Sequence, residues 1–216
     1  MEKSMMKRKD SKKVVSVIII CVLLLVCALT LTIYYLCIDT QAGETAEAIE
    51  QELRAEIQEK TSDGGYAQEA AEDQPLYVSN PETDMPVMDI DGHDYTGILE
   101  IPVLDISLPV MSQWSYSEMK QAPSCYTGSI YMNNMVIAAY NYKSHFGSLN
   151  ELQPGDTVTF TDTDDNLFCY EVKAVEELKT SSLEEVENNG YDLTLVTCNH
   201  GGKAIYTVRC SLINIY

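Results

Sequence analysis

Between Val14 and Ile38 the chain carries 25 consecutive residues without a charge, VVSVIIICVLLLVCALTLTIYYLCI. As a helix rising about 1.5 Å per residue this run spans roughly 37 Å, enough to cross the hydrocarbon layer of a bilayer with some tilt. A cleaved signal peptide is the rival reading, but its apolar core would be only about 7 to 15 residues long and no small-x-small cleavage pattern closes this run. One membrane-spanning helix is therefore expected. Lys3, Lys7, Arg8, Lys9, Lys12 and Lys13 precede it. By the positive-inside rule they hold residues 1–13 in the cytoplasm and place the chain beyond Asp39 outside. The expectation is a single-pass type II protein of the cell membrane.

Beyond this anchor, 8 basic residues stand against 31 acidic ones. A net charge of that sign leaves no electrostatic footprint for nucleic acid and repels anionic head groups. Cys21, Cys27 and Cys37 belong to the anchor or its edge. That leaves Cys125, Cys169, Cys198 and Cys210 in a domain large enough to need no disulfide staples. No two of them show C-x-x-C spacing, so structural zinc is not indicated. DIDGHD (89–94) and TDTDDN (161–166) concentrate acids but lack the twelve-residue calcium loop with its closing Glu. Both read as solvated turns, and no metal or cofactor is called for.

Residues 39–75 read as an acidic stalk and linker. Within them ETAEAIEQELRAEIQEK (44–60) has Ile49, Leu53 and Ile57 on one narrow stripe, expected as a solvated helix, and TSDGGYAQEAAEDQP comes next as a flexible segment. The folded domain is expected over residues 76–216. YTGILEIP, DISLPV, SIYM, NMVIAAY, DTVTFTD, NLFCYEVKAVEEL, DLTLVTC and AIYTVRCSLINIY read as short strands between Gly, Pro, Asn and Asp punctuation. Only SYSEMKQA, HFGSLNEL and SSLEEVENN look helical. About eight strands in about 140 residues predict a mainly β barrel or sandwich with small helices in its connections. Trp114 and the tyrosines are expected to pack the barrel and its rim.

TLVTC (194–198) fits a strand that delivers a nucleophile: Leu195 and Val196 alternate between faces, and Cys198 arrives where the strand meets a short NHGG loop. Several further segments, in order, resemble one family. GILEIPVLDISLPV, YTGSI, HFGSLNELQPGDTVTF, YEVKAVEEL and TLVTCN are similar to segments of the sortases, membrane-anchored cysteine transpeptidases of Gram-positive bacteria. The resemblance covers about residues 95–212. It implies an eight-stranded sortase-type β-barrel and a thiol that cleaves an LPxTG-like sorting signal of a surface protein or pilin. The acyl group then passes to an amine acceptor on peptidoglycan or a pilin. The short TSSLEEVENNG connection leans toward the compact members of the family.

By the same resemblance Cys198 is the nucleophile. The step that normally presents the histidine reads Ala139-Tyr140-Asn141, so Tyr140 stands at the histidine position. His145, five residues on, and His200, two residues past Cys198, are the candidate substitute bases. The arginine that steadies the oxyanion normally opens the last strand. One register puts Ile205 at that position, with Arg209 about 13 Å further along the same face. A slipped register, in which Arg209 opens the strand, is the alternative. Without an imidazolium, a thiol lacks the partner that lowers its pKa and protonates a leaving amine, and tyrosine is a poor base. Two functions are consistent with this pattern: a cysteine transpeptidase or hydrolase with impaired chemistry, and a degenerate member that binds sorting-signal or pilin partners without turnover.

Overall fold

The computed structural model describes residues 2–63, 75–181, 183–187, 190–198 and 203–216. It divides into two units, Met1–Gln41 and Ala42–Tyr216. The long helix α1 spans Glu2–Asp63, and its apolar part is long and apolar enough to cross a membrane. In the first unit its apolar side chains from Val15 to Leu36 stand outward on all sides. Thr30 and Thr32 turn their hydroxyls back onto the carbonyls of Cys27 and Ala28, both at 2.9 Å, which removes two donors from an apolar surface.

The second unit is a closed sheet. Its strands are β1 (Met88–Ile90), β2 (His93–Ile101), β3 (Ile106–Met111), β4 (Ser124–Thr127), β5 (Met135–Ala138), β6 (Thr157–Asp162), β7 (Leu167–Lys179), β8 (Leu193–Cys198) and β9 (Ala204–Ile215). They run in the order β1-β2-β3-β4-β5-β8-β9-β7-β6, and a β2–β6 pairing closes eight of them into a barrel, with β1 added outside. The eight-stranded barrel expected from the sequence is therefore present. Alternation fills its interior: Leu99, Ile101, Leu108, Val110, Ile137, Val158, Phe160, Tyr170, Val172, Leu195 and Val208 form one buried cluster. The Asp91-Gly92 turn between β1 and β2 has φ of 52° and 82°, the backbone a two-residue hairpin needs. Closure at β2–β6 depends on Gly97, where an added Cβ would lie 2.2 Å from the Thr161 carbonyl oxygen.

Two expectations need correction. SIYM is a turn, and the strand is SCYT just before it. Gly128, at φ 77°, ends that strand, and the Asn134 side chain accepts a bond from the Ser129 N–H at 2.9 Å, which draws the chain into a loop. The solvated stalk is also absent over residues 42–63. Ala42, Ala46, Leu53 and Ile57 are buried against the barrel, with Leu53 and Ile57 packed on Ile90, Tyr95, Ile98, Met111 and Ala122. Arg54 sits between Glu50 and Glu100, at 2.7 and 3.1 Å. Lys60 pairs with Asp164 at 2.5 Å. This docking explains why residues 95–99 of β2 are buried on both faces: α1 covers the outer face and the core the inner one. The three segments read as helical contain only single turns, at Glu118–Lys120 and Leu149–Glu151, and the short α3 (Leu183–Glu187); α2 (Leu76–Ser79) precedes β1.

Candidate functional site

Cys198 is the last residue of β8 and is exposed. Its orientation comes from the pleat. Leu193 and Leu195 fill the core and Thr197 is buried, its hydroxyl bonded to the Ala139 carbonyl at 2.9 Å, so Cys198 emerges on the outer face. β5 runs parallel to β8 with Ala138 beside Val196, and the Ala139 N–H bonds the Val196 carbonyl at 3.1 Å. Two residues beyond that register are Tyr140, just past the end of β5, and Cys198, the last residue of β8. The structure thus brings Cys198 and Tyr140 together.

The loop after Tyr140 is pinned from within. Phe146 and Leu149 are fully buried, the Phe146 N–H bonds the Tyr140 carbonyl at 3.3 Å, and the Gly147 N–H bonds the Tyr142 carbonyl at 2.8 Å. His145 goes inward with them, with no exposed surface and its ring edge-on to Tyr142 at 5.6 Å. It is a buried core residue here. His200 lies outside the described residues.

The last strand adopts the first of the two registers. β9 begins at Ala204, and Cys198 pairs with Ile205, which is 3% exposed. The slipped register is corrected: Arg209 pairs with Thr194, four residues further along, and is itself 3% exposed. Its guanidinium is committed elsewhere, to Glu176 at 3.2 Å, the Glu185 carbonyl at 2.7 Å, the Val186 carbonyl at 3.4 Å and the Thr194 hydroxyl at 3.3 Å. It clamps α3 and the connection into β8. A buried apolar residue, Ile205, is therefore the strand partner of Cys198.

The surroundings of Cys198 are aromatic. Tyr140 stacks at a tilt on Tyr142, centroids 4.6 Å apart, and meets Tyr116 edge-on at 6.4 Å. Lys120 places its ammonium 5.4 Å from the Tyr116 ring centre and 5.9 Å from that of Tyr140. Burial, then a hydrogen bond with Tyr116 and the nearby charges of Tyr116, Tyr142 and Cys198, push the Tyr140 phenol above its ordinary value. A phenol so shifted keeps its proton at neutral pH, so it can donate to a leaving group but cannot act as a base. The sequence reading did not point to Tyr116, Lys120 or Tyr142. The i,i+4 spacing of Tyr116 and Lys120 in a helix-like segment was the available signal for the first two. Near the acidic turns, Asp162 is saturated by protein donors, accepting from the Tyr131 hydroxyl, the Asp164 and Asn166 N–H groups and the Asn166 amide. No cluster that could hold a metal is found among the described residues.

A family model described as the Sortase domain matches residues 99–212. Among solved structures, a Clostridium perfringens sortase D5 transpeptidase is 21% identical, with a TM-score of 0.56 over 77% of this chain and 99% of that one. Listeria monocytogenes sortase A is 17% identical, with a TM-score of 0.51 over 56% of this chain and 88% of that one. No match is found among curated proteins. At these identities the structural likeness establishes the barrel.

Proposed function

The chain belongs to the sortase family, and from that premise we propose that it recognises a sorting-signal peptide at the face around Cys198 without turning it over. The observation that carries this reading is the occupancy of three neighbouring positions. The thiol is in place and open, a protonated tyrosine stands where the base would be, and a buried isoleucine stands where the arginine would be. Losing one member of a nucleophile–base unit costs on the order of 10³ to 10⁶ in rate, and losing an oxyanion donor roughly 10² to 10³. Together these leave peptide recognition as the main activity, with a surface protein or pilin as the partner. An impaired transpeptidase passing the acyl group to a peptidoglycan or pilin amine is the second reading, favoured by the exposure of Cys198.

The apolar part of α1 and the six basic residues ahead of it support membrane anchorage with the barrel on the outer side, as a type II protein. A panel of quenched fluorescent LPxTG-like peptides, offered to the full chain in nanodiscs, tests the functional reading. Binding without cleavage is expected. Cleavage by the unaltered protein that disappears in Cys198→Ala would establish the transpeptidase reading instead. Cleavage that appears only when Tyr140→His and Ile205→Arg are combined would show that the peptide groove is intact and the chemistry lost.

A further inference from the structure

The loop that follows Tyr140 is touched by α1, and at the closest point the helix contributes no side chain. A Cβ on Gly43 would lie 2.9 Å from that of Ser144 and 3.5 Å from its hydroxyl oxygen, closer than real Cβ atoms come, so the approach requires glycine. Three residues on, and on the same side of the helix, Ala46 is fully buried in the main core cluster together with Phe146, two residues past Ser144. Glycine weakens a helix interior relative to alanine. The helix itself gains nothing from Gly43; what the glycine permits is the contact.

The loop has little freedom to absorb a movement at Ser144. The His145 and Gly147 N–H groups both bond the Tyr142 carbonyl, at 3.0 and 2.8 Å, and the Phe146 N–H bonds the Tyr140 carbonyl at 3.3 Å. A Cβ on Gly147 would stand 2.7 Å from the Tyr142 carbonyl oxygen, so the turn is closed to the limit of backbone contact. The Tyr142 ring in turn lies against that of Tyr140, centroids 4.6 Å apart. Interiors packed this closely pass a displacement on. We propose that Gly43 and Ser144 are positioning residues for the face around Cys198: the close approach of α1 at Gly43 sets the 141–147 loop, and through it where Tyr140 stands beside the thiol. The inference rests on the placement of Tyr140 beside Cys198 and is independent of what that face binds.

The test is a double-substitution cycle on the full chain in nanodiscs with two readouts. One is the ring-¹³C signal of Tyr140, assigned through Tyr140→Phe. The other is the rate at which iodoacetamide alkylates Cys198, scored at that residue by mass spectrometry. Gly43→Ala should shift the Tyr140 signal and change the Cys198 rate by about 2-fold or more, although alanine is the better helix former. Gly43→Leu should act in the same way and further. Ser144→Gly removes the atoms that the new methyl group meets, so Gly43→Ala combined with Ser144→Gly should return both readouts to those of Ser144→Gly alone. Glu56→Ala, on the exposed side of the same helix, should move neither. A lower thermal midpoint in Gly43→Ala with an unmoved Tyr140 signal and an unchanged Cys198 rate would make the contact merely structural and overturn the inference. A double variant displaced as far as Gly43→Ala would overturn it as well. Peptide binding is scored separately: its absence in the unaltered protein removes the functional reading alone, and an unmoved Tyr140 in a peptide-binding protein removes this inference alone.

Discussion

At the scale of single residues, the structure defines the surroundings of the side chains near Cys198 and along the last strand. Arg209 is the clearest case. Its four partners hold α3 and the β7–β8 connection, so Arg209→Ala should act on stability: two backbone carbonyls and Thr194 lose a buried donor, at a cost of about 2–3 kcal/mol read as a lower thermal midpoint. An unchanged midpoint would show that the clamp is not needed. Gly97→Ala should also destabilise, by about 1–3 kcal/mol or more, because the new methyl group meets the Thr161 carbonyl and the Phe160 ring at the barrel seam. The buried thiols add a pH dependence. Burial pushes Cys210 up to about 12 and Cys125 up to about 11 from the ordinary 9.0. Above pH 9 the unfolded chain releases these protons while the folded one keeps them. Stability is therefore complete below that pH and falls as pH rises toward the folded values. The thermal midpoint should drop between pH 9 and pH 11, and Cys210→Ala should flatten the drop; a slope unchanged in that variant would assign the loss to other groups.

At the scale of elements, the informative one is the lower part of α1. Its stripe of Ile49, Leu53 and Ile57 was visible as a pattern, but a stripe does not reveal what it faces, nor that Ala42 and Ala46 extend it. The small residues at one end let the helix come close, to the point that a Cβ on Gly43 would lie 2.9 Å from that of Ser144, in the loop after Tyr140. The larger ones fill the second apolar cluster. Leu53→Ala should cost about 2–5 kcal/mol. A chain that begins at residue 76 should expose Ile90, Tyr95, Ile98 and Met111 and bind a hydrophobic dye that the longer chain does not. Equal dye binding by the two would mean that the helix is dispensable to the barrel.

At the scale of the molecule, charge is the dominant property. The excess of acids beyond the anchor disfavours anionic surfaces and favours cationic partners. Binding of a cationic peptide should accordingly weaken as salt rises from 0.05 to about 0.5 M, since exposed charges more than roughly 10 Å apart are screened at 0.1 M. Affinity independent of salt would show that the acidic excess contributes nothing to binding.

The sequence by itself determined the membrane-length apolar run, the mainly β class, and Cys198 at the end of its strand; the barrel followed from the resemblance. Each of these is written in local periodicity or in a contiguous motif: an unbroken apolar stretch, a two-residue alternation, TLVTC. The resemblance pointed to Tyr140 as the thiol's neighbour, and the parallel β5–β8 pairing brings the two together. Only the tertiary structure decided the register of β9, and with it the burial of Ile205 and the commitment of Arg209, because pairing between strands depends on partners distant in the chain. The docking of residues 42–63 and the gathering of Tyr116, Lys120 and Tyr142 around Tyr140 were decided in the same way. A helix stripe or an exposed ring takes its meaning from the surface packed against it, and that surface comes from segments tens of residues away.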